Sequence, residues 1–198
     1  RAWGWHYYAS EYDKKELFSK NIQKYVKSSL RFFEKFNLNK TWLPEDYIRQ
    51  DREFYLPNEM LKKADRMGMG NSIEIRVPFV SKSILEFTKD LSYDDLIRKD
   101  KLKAPLRDAF KDIITDEIIN RPKHGFNVPI DLWLRSGWKD LIEVTFAKAS
   151  FLRQHDVISD NVTIDTINNM INNEKRLHGH TIFCLIILNI WLEKEFND

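Results

Sequence analysis

Apolar residues recur at intervals of three and four along most of this chain, and that period is the strongest limit on what it can fold into. Between residues 14 and 36 they fall at Leu17, Phe18, Ile22, Tyr25, Val26, Leu30 and Phe33, with Lys and Glu in the gaps, and the spacing predicts one amphipathic helix. Pro44 and Pro57 suit a first helical turn. Each is followed by acids, Glu45 and Asp46 in one case and Glu59 in the other, that favour the positive end of a helix dipole, so two more helices should begin there. The second should weaken over residues 68–71, and Pro78 biases Val77 away from helix, which makes residues 72–79 an extended arm. Ser81 and Ser92 read as N-caps, the latter with Asp95 three residues on. Residues 103–114 keep the helical period, and Thr115 can cap a turn over residues 116–120. Residues 121–129, RPKHGFNVP, must be a loop, because Pro122, Gly125 and Pro129 leave no room for regular structure; Asp131 can then cap the helix carrying Leu132 and Trp133. Helices over residues 163–173 and 181–196 close the chain. No run of alternating residues supports a sheet and no repeat is visible, so the class is mainly α.

Composition narrows the function classes. Hydrophobic residues make up 42% and aromatics 13% of the 198 residues, which is enough for a packed core and makes a single domain the default. The net charge of +2, from 32 basic and 30 acidic residues, gives no electrostatic case for a nucleic-acid or membrane partner. Cys184 is the one cysteine, so no intrachain disulfide can form, and a reducing, cytoplasmic setting follows. The longest apolar stretch, residues 181–192, is shorter than the roughly 20 residues a bilayer needs and reads as a buried helix. The start at Arg1, without Met or a signal peptide, reads as a cut.

Several residues could carry chemistry. Lys123, with Arg121 and His124, sits on a loop that Gly125 lets bend sharply, where its charge can neutralise a phosphate or an oxygen in acyl or phosphoryl transfer. Spacing alone favours a solvated basic turn instead. Glu59 and Asp65 are six apart and do not share a helix face squarely, so a paired-carboxylate mechanism is not supported and ordinary helix acids are the simpler reading. Glu74 and Arg76 share one side of the arm and can pair with each other or with a neighbouring helix. His178 and His180 flank Gly179 without further ligand types, which suits a helix start better than a metal site. Cys184, among Ile182, Phe183, Leu185 and Ile186, reads as core filler. Trp3, Trp5, Tyr7 and Tyr8 form an aromatic cluster that reads as packing or exposed surface rather than a base-stacking platform.

Two segments in register, YLPNEMLKKADRMGMGNSIEIRVPF at residues 55–79 and RPKHGFNVP at residues 121–129, resemble the asparagine synthetase family, and the similarity extends from about Leu43 through Leu141 and more weakly to Leu192. The resemblance implies the helical C-terminal portion of an α/β ATP-pyrophosphatase domain of the adenine nucleotide α-hydrolase-like type. It also implies a reaction in which a carboxylate, most commonly that of aspartate, is adenylated by ATP and ammonia from glutamine then displaces AMP. In that family the R-P-K-x-G-F segment supplies an active-site lysine, a role that falls on Lys123. The family's acids after tyrosine, leucine and proline correspond to Asn58 and Glu59, so the active-site carboxylate falls on Glu59, with Arg121, Arg76 and Asp65 as substrate- or phosphate-binding residues. The usual Leu-Asp after V-P-F is here Val80 and Ser81.

ATP and Mg²⁺ would serve the full-length protein, with none expected on this chain, because neither an S-G-G-x-D-S phosphate loop nor a glutaminase nucleophile is in the sequence. Residues 1–198 are thus expected to form a single truncated synthetase domain, inactive alone and exposing apolar surface through which it self-associates. The alternatives are a specialised relative, of the β-lactam, lasso-peptide or sugar amidotransferase type, and a helical interaction module without chemistry.

Overall fold

The computed structural model describes residues 9–36, 41–98, 101–122, 125, 128–173 and 179–196, and the chain divides into two compact units, one of residues 1–32 with 126–198 and the other of residues 33–125. Helices α1 (Glu11–Leu17), α2 (Lys20–Gln23) and α3 (Ser29–Glu34) replace the single helix expected over residues 14–36. The break has a tertiary cause. Phe18 is extended and bridges Ile158; beside it the Ser19 N–H donates to the Val157 carbonyl at 3.0 Å, and the Ser159 N–H to the Leu17 carbonyl at 2.9 Å. Backbone groups spent on that bridge cannot serve a helix, so the chain restarts at Ser19, whose hydroxyl accepts from the Ile22 N–H at 3.2 Å.

In the second unit α4 (Pro44–Gln50) begins at its proline as predicted, but Pro57 does not start a helix. The chain instead passes from α4 into a π-helical stretch (Asp51–Leu61) that contains Pro57, and then into α5 (Lys62–Met69). A wider turn relieves the clash between the proline ring and the carbonyl four residues back that would kink an α-helix. Ser72 then adopts a left-handed φ of 57°, residues 73–77 run without regular structure, and Pro78–Val80 form a 3₁₀ turn.

Helices α6 (Lys82–Thr88) and α7 (Tyr93–Leu96) follow. The Ser92 cap is complete, its hydroxyl accepting from the Asp95 N–H at 3.2 Å while the Asp95 carboxylate accepts from the Ser92 N–H at 2.9 Å. Ser81 has N-cap dihedrals, but its hydroxyl lies 3.2 Å from that of Ser83 and makes no cap bond. Strands β1 (Ile97–Arg98) and β2 (Lys101–Leu102) pair antiparallel, before α8 (Ala104–Phe110) and α9 (Asp116–Asn120).

The first unit resumes with α10 (Ile130–Ser136), α11 (Lys139–Phe146), α12 (Phe151–Gln154), α13 (Ile164–Ile171) and α14 (Gly179–Phe196). Its core joins Leu17, Leu134, Ile142, Leu152, Ile167 and Ile182 with their neighbours. Asp131 does not cap its own helix. Its carboxylate accepts from the Gly179 N–H at 3.1 Å and so caps α14, where a Cβ on Gly179 would stand 2.8 Å from the carboxyl carbon. The expectation of a buried last helix holds for one face only. Thr181, Ile182, Leu185, Ile186 and Asn189 are buried, whereas Ile187, Ile190 and Trp191 are about half exposed, at 48%, 47% and 52%. Cys184 is likewise exposed rather than core filler, although nearby atoms desolvate the sulfur enough to hold the thiol above its ordinary value of 9.0. His180 lies in the first turn of α14, as the helix-start reading required, while His178 and the aromatic cluster of residues 3–8 lie outside the described residues.

Burial differs sharply between the units. The core cluster lies wholly in the first, while in the second Phe36 and Ala104 are the buried hydrophobics and Met67, Ile73, Phe79, Phe87 and Ile113 are more than half exposed. Among the described residues no helix is long and apolar enough to cross a membrane. Within the first unit, the buried Asn189 side-chain Oδ1 accepts from the Leu152 N–H at 3.1 Å. Asn189→Ala is expected to strip that buried donor of its partner and destabilise the fold by about 1–3 kcal/mol, read as a lower urea midpoint with an unchanged slope.

Candidate functional site

Glu59, Asp65, Arg76 and Arg121 fall in the second unit. Glu59 lies near the end of the π-helical stretch and is half-buried, and Asp65 lies on α5, exposed. Arg121 closes α9, donating its N–H to the Ile118 carbonyl at 3.3 Å, with its side chain exposed. Arg76 is bound to Glu74 at 2.8 Å, both side chains well exposed, which realises one of the two pairings the arm allowed. Lys123 and His124 lie outside the described residues, whereas Pro122 and Gly125 on either side belong to no helix or strand. Among the described residues no hydrogen bond or ion pair joins Glu59, Asp65, Arg76 and Arg121 to one another. Glu59, Asp65 and Arg121 therefore carry charge that the fold leaves uncommitted.

What holds this region in shape is the return of the arm onto α5. The Gly68 carbonyl accepts from both the Asn71 and Ile73 N–H groups at 2.9 Å, and a Cβ on Gly68 would stand 2.6 Å from the Ile73 carbonyl oxygen. Only glycine admits so close an approach. The sequence reading took Gly68 as a point where the helix weakens; its closer use is to let the arm bearing Glu74 and Arg76 fold tightly against the helix bearing Asp65. The preference of Gly for close backbone contact was the available signal.

Tyr55 is a further residue that sequence reasoning passed over. Partial burial, then the Glu59 carboxylate, then that of Asp51, raise its phenol above the ordinary value of 10.0. Glu59 and Asp51 thus place negative charge close to one aromatic hydroxyl on the wide helical turn. A raised phenol makes the folded state the tighter proton binder, so its contribution to stability is whole below the unfolded value of 10.0 and is lost as pH rises through the folded value. The difference between the ultraviolet phenolate titrations of the chain and its Tyr55→Phe variant should give a midpoint above 10.0 for Tyr55. Glu59→Gln should move that midpoint down, and an unchanged midpoint would separate Glu59 from the hydroxyl.

Among the described residues no group of three or more His, Cys, Asp and Glu could hold a metal ion. Among the described residues the candidates are two acids, the half-buried Glu59 and the exposed Asp65, with the exposed Arg121 and with Arg76 held by Glu74.

The sequence profile of the family described as asparagine synthase matches residues 7–193. A putative glutamine-hydrolysing asparagine synthetase of Mycobacterium bovis is 29% identical over 140 residues, covering 69% of this chain and 21% of the relative. Asparagine synthetase 1 of Bacillus subtilis is 35% identical over 86 residues, 43% of this chain and 14% of the relative, and a probable asparagine synthetase of Acanthamoeba polyphaga mimivirus is 33% identical over 98 residues, 46% and 18%. The chain spans about a fifth of the length of the mycobacterial relative. No solved structure gives a significant match. With residues 7–193 of its 198 matched, the chain belongs to the asparagine synthase family.

Proposed function

We propose that this chain is the helical part of an ATP-dependent amide-forming synthetase whose substrate is aspartate and whose nitrogen comes from glutamine. The observation that carries the reading is the family match over residues 7–193, which includes both the arm and the lysine loop. In the proposed reaction a carboxylate oxygen of aspartate attacks the α-phosphorus of ATP, the bond to the bridging oxygen breaks, and pyrophosphate leaves. Ammonia then attacks the acyl carbon, the carbon–oxygen bond to the phosphate breaks, AMP leaves, and the nitrogen sheds a proton to give asparagine.

Each candidate residue has a part in this scheme. Lys123 neutralises negative charge that builds on phosphate oxygens during the first displacement, with Arg121 on the same loop adding to the field. Glu59 is the carboxylate that orients the amino-acid end of the substrate, and Asp65 and Arg76 are the further substrate- or phosphate-binding residues of the proposal. ATP and Mg²⁺ are proposed to serve the complete protein, where the ion would help neutralise the phosphates. The phosphate loop and a glutaminase nucleophile are not in these 198 residues, and the chain is proposed to act only together with parts that provide them.

Asn58, and Val80 with Ser81, depart from the family's usual residues and favour a specialised relative as the second reading, in which another carboxylic acid is activated. Pyrophosphate release by the complete gene product, assayed with ATP, glutamine and either aspartate or other acids, separates the two. Aspartate-dependent release that falls by about a hundredfold or more in Lys123→Ala is the expected result. Release with another acid but none with aspartate would transfer the assignment to the specialised relative, and release untouched by Lys123→Ala would remove the lysine from the reaction.

A further inference from the structure

We propose that the cleft between α10, α11 and α13, of about 410 Å³, binds a small zwitterion of the α-amino-acid type. The proposal stands apart from the amide-forming reading, since it uses the first unit alone. The cleft's volume is in the range of small-molecule sites. Its floor is apolar, formed by Leu134, Ile142 and Ile171, all nearly inaccessible, with Ile164 half-buried beside them.

Over that floor stand charges of both signs. The Arg135 Nε and Nη2 donate to the Ile171 carbonyl at 3.1 and 2.9 Å, which fixes the guanidinium before any ligand arrives and leaves Nη1 to bind one. Lys139 and Glu143 lie one turn apart on α11, yet among the described residues neither is in an ion pair. Asn168 and Asn172, one turn apart along and just past α13, make no side-chain hydrogen bond among the described residues.

This set selects against simpler ligands. A plain anion would meet Arg135 and Lys139 but be repelled by Glu143, and a plain cation would suffer the reverse. A zwitterion satisfies both, its carboxylate bound by Arg135 and Lys139 and its ammonium by Glu143. The two amides can donate to or accept from whichever oxygen or ammonium hydrogen remains.

The test is a backbone-amide NMR titration of the chain with L-leucine, 4-methylpentanoate, which lacks the amine, and isoamylamine, which lacks the carboxylate. L-leucine should shift amides of α11 and α13 saturably, with each singly charged analogue weaker by about tenfold or more. Glu143→Gln should weaken L-leucine to a similar degree without weakening 4-methylpentanoate, and Lys139→Gln should weaken both; spectra unchanged elsewhere would show that both variants keep the fold. No saturable shift with L-leucine, equal binding of either analogue, or L-leucine binding indifferent to Glu143→Gln would each overturn the proposal.

Discussion

The first unit depends on the burial of one face of α14. Thr181, Ile182, Leu185, Ile186 and Asn189 repeat along the helix so that one stripe meets α10, α11 and α12, and the side chains filling those contacts are almost wholly inaccessible. Two polar contacts then fix where the helix stands along that stripe. Asp131 caps its first turn through the Gly179 N–H, and Asn189 holds the Leu152 N–H farther down. Burial supplies non-directional attraction, whereas each hydrogen bond requires one register and would leave a desolvated group unpaired in any other.

The second unit is built on a different principle. With few buried hydrophobics, its order comes from local devices: a proline-started helix that widens to admit a second proline, a serine cap closed by Asp95, and the glycine against which the arm turns back. Such devices hold backbone geometry without surrounding side chains. That leaves Glu59, Asp65 and Arg121 uncommitted, and Met67, Ile73 and Phe79 open to whatever packs on them.

Local signals were the legible part of this molecule. Pro44 and Ser92 with Asp95 each mark a helix start seen in the structure, because these signals depend on neighbours within a few residues, and Thr115 stands at the start of α9 although its hydroxyl makes no cap bond. Long-range competition was not legible. Nothing near Phe18 announces that Ile158 will take its backbone out of a helix, and nothing near Asp131 announces a bond to Gly179, 48 residues away. Helical period did not reveal the π-register around Pro57 either, since a proline followed by an acid reads as a first helical turn and π-helical stretches are rare. Of the candidate site, the pairing of Glu74 with Arg76 is one of the two that alternation along the arm allowed; the influence of Glu59 on Tyr55 needed the fold.

The chain thus joins a well-packed helical unit to an open one that presents the residues proposed for carboxylate activation. The central claim is that this activation proceeds by attack of the carboxylate on the α-phosphorus of ATP. Isotope transfer tests it most directly. With aspartate labelled by ¹⁸O in its side-chain carboxylate, turnover by the complete gene product in ordinary water should leave one labelled oxygen in the AMP released, because the carboxylate oxygen that bonds to the α-phosphorus stays on it when the acyl carbon–oxygen bond is later cleaved. AMP free of label alongside asparagine formation, or label recovered in inorganic phosphate with ADP, would contradict it.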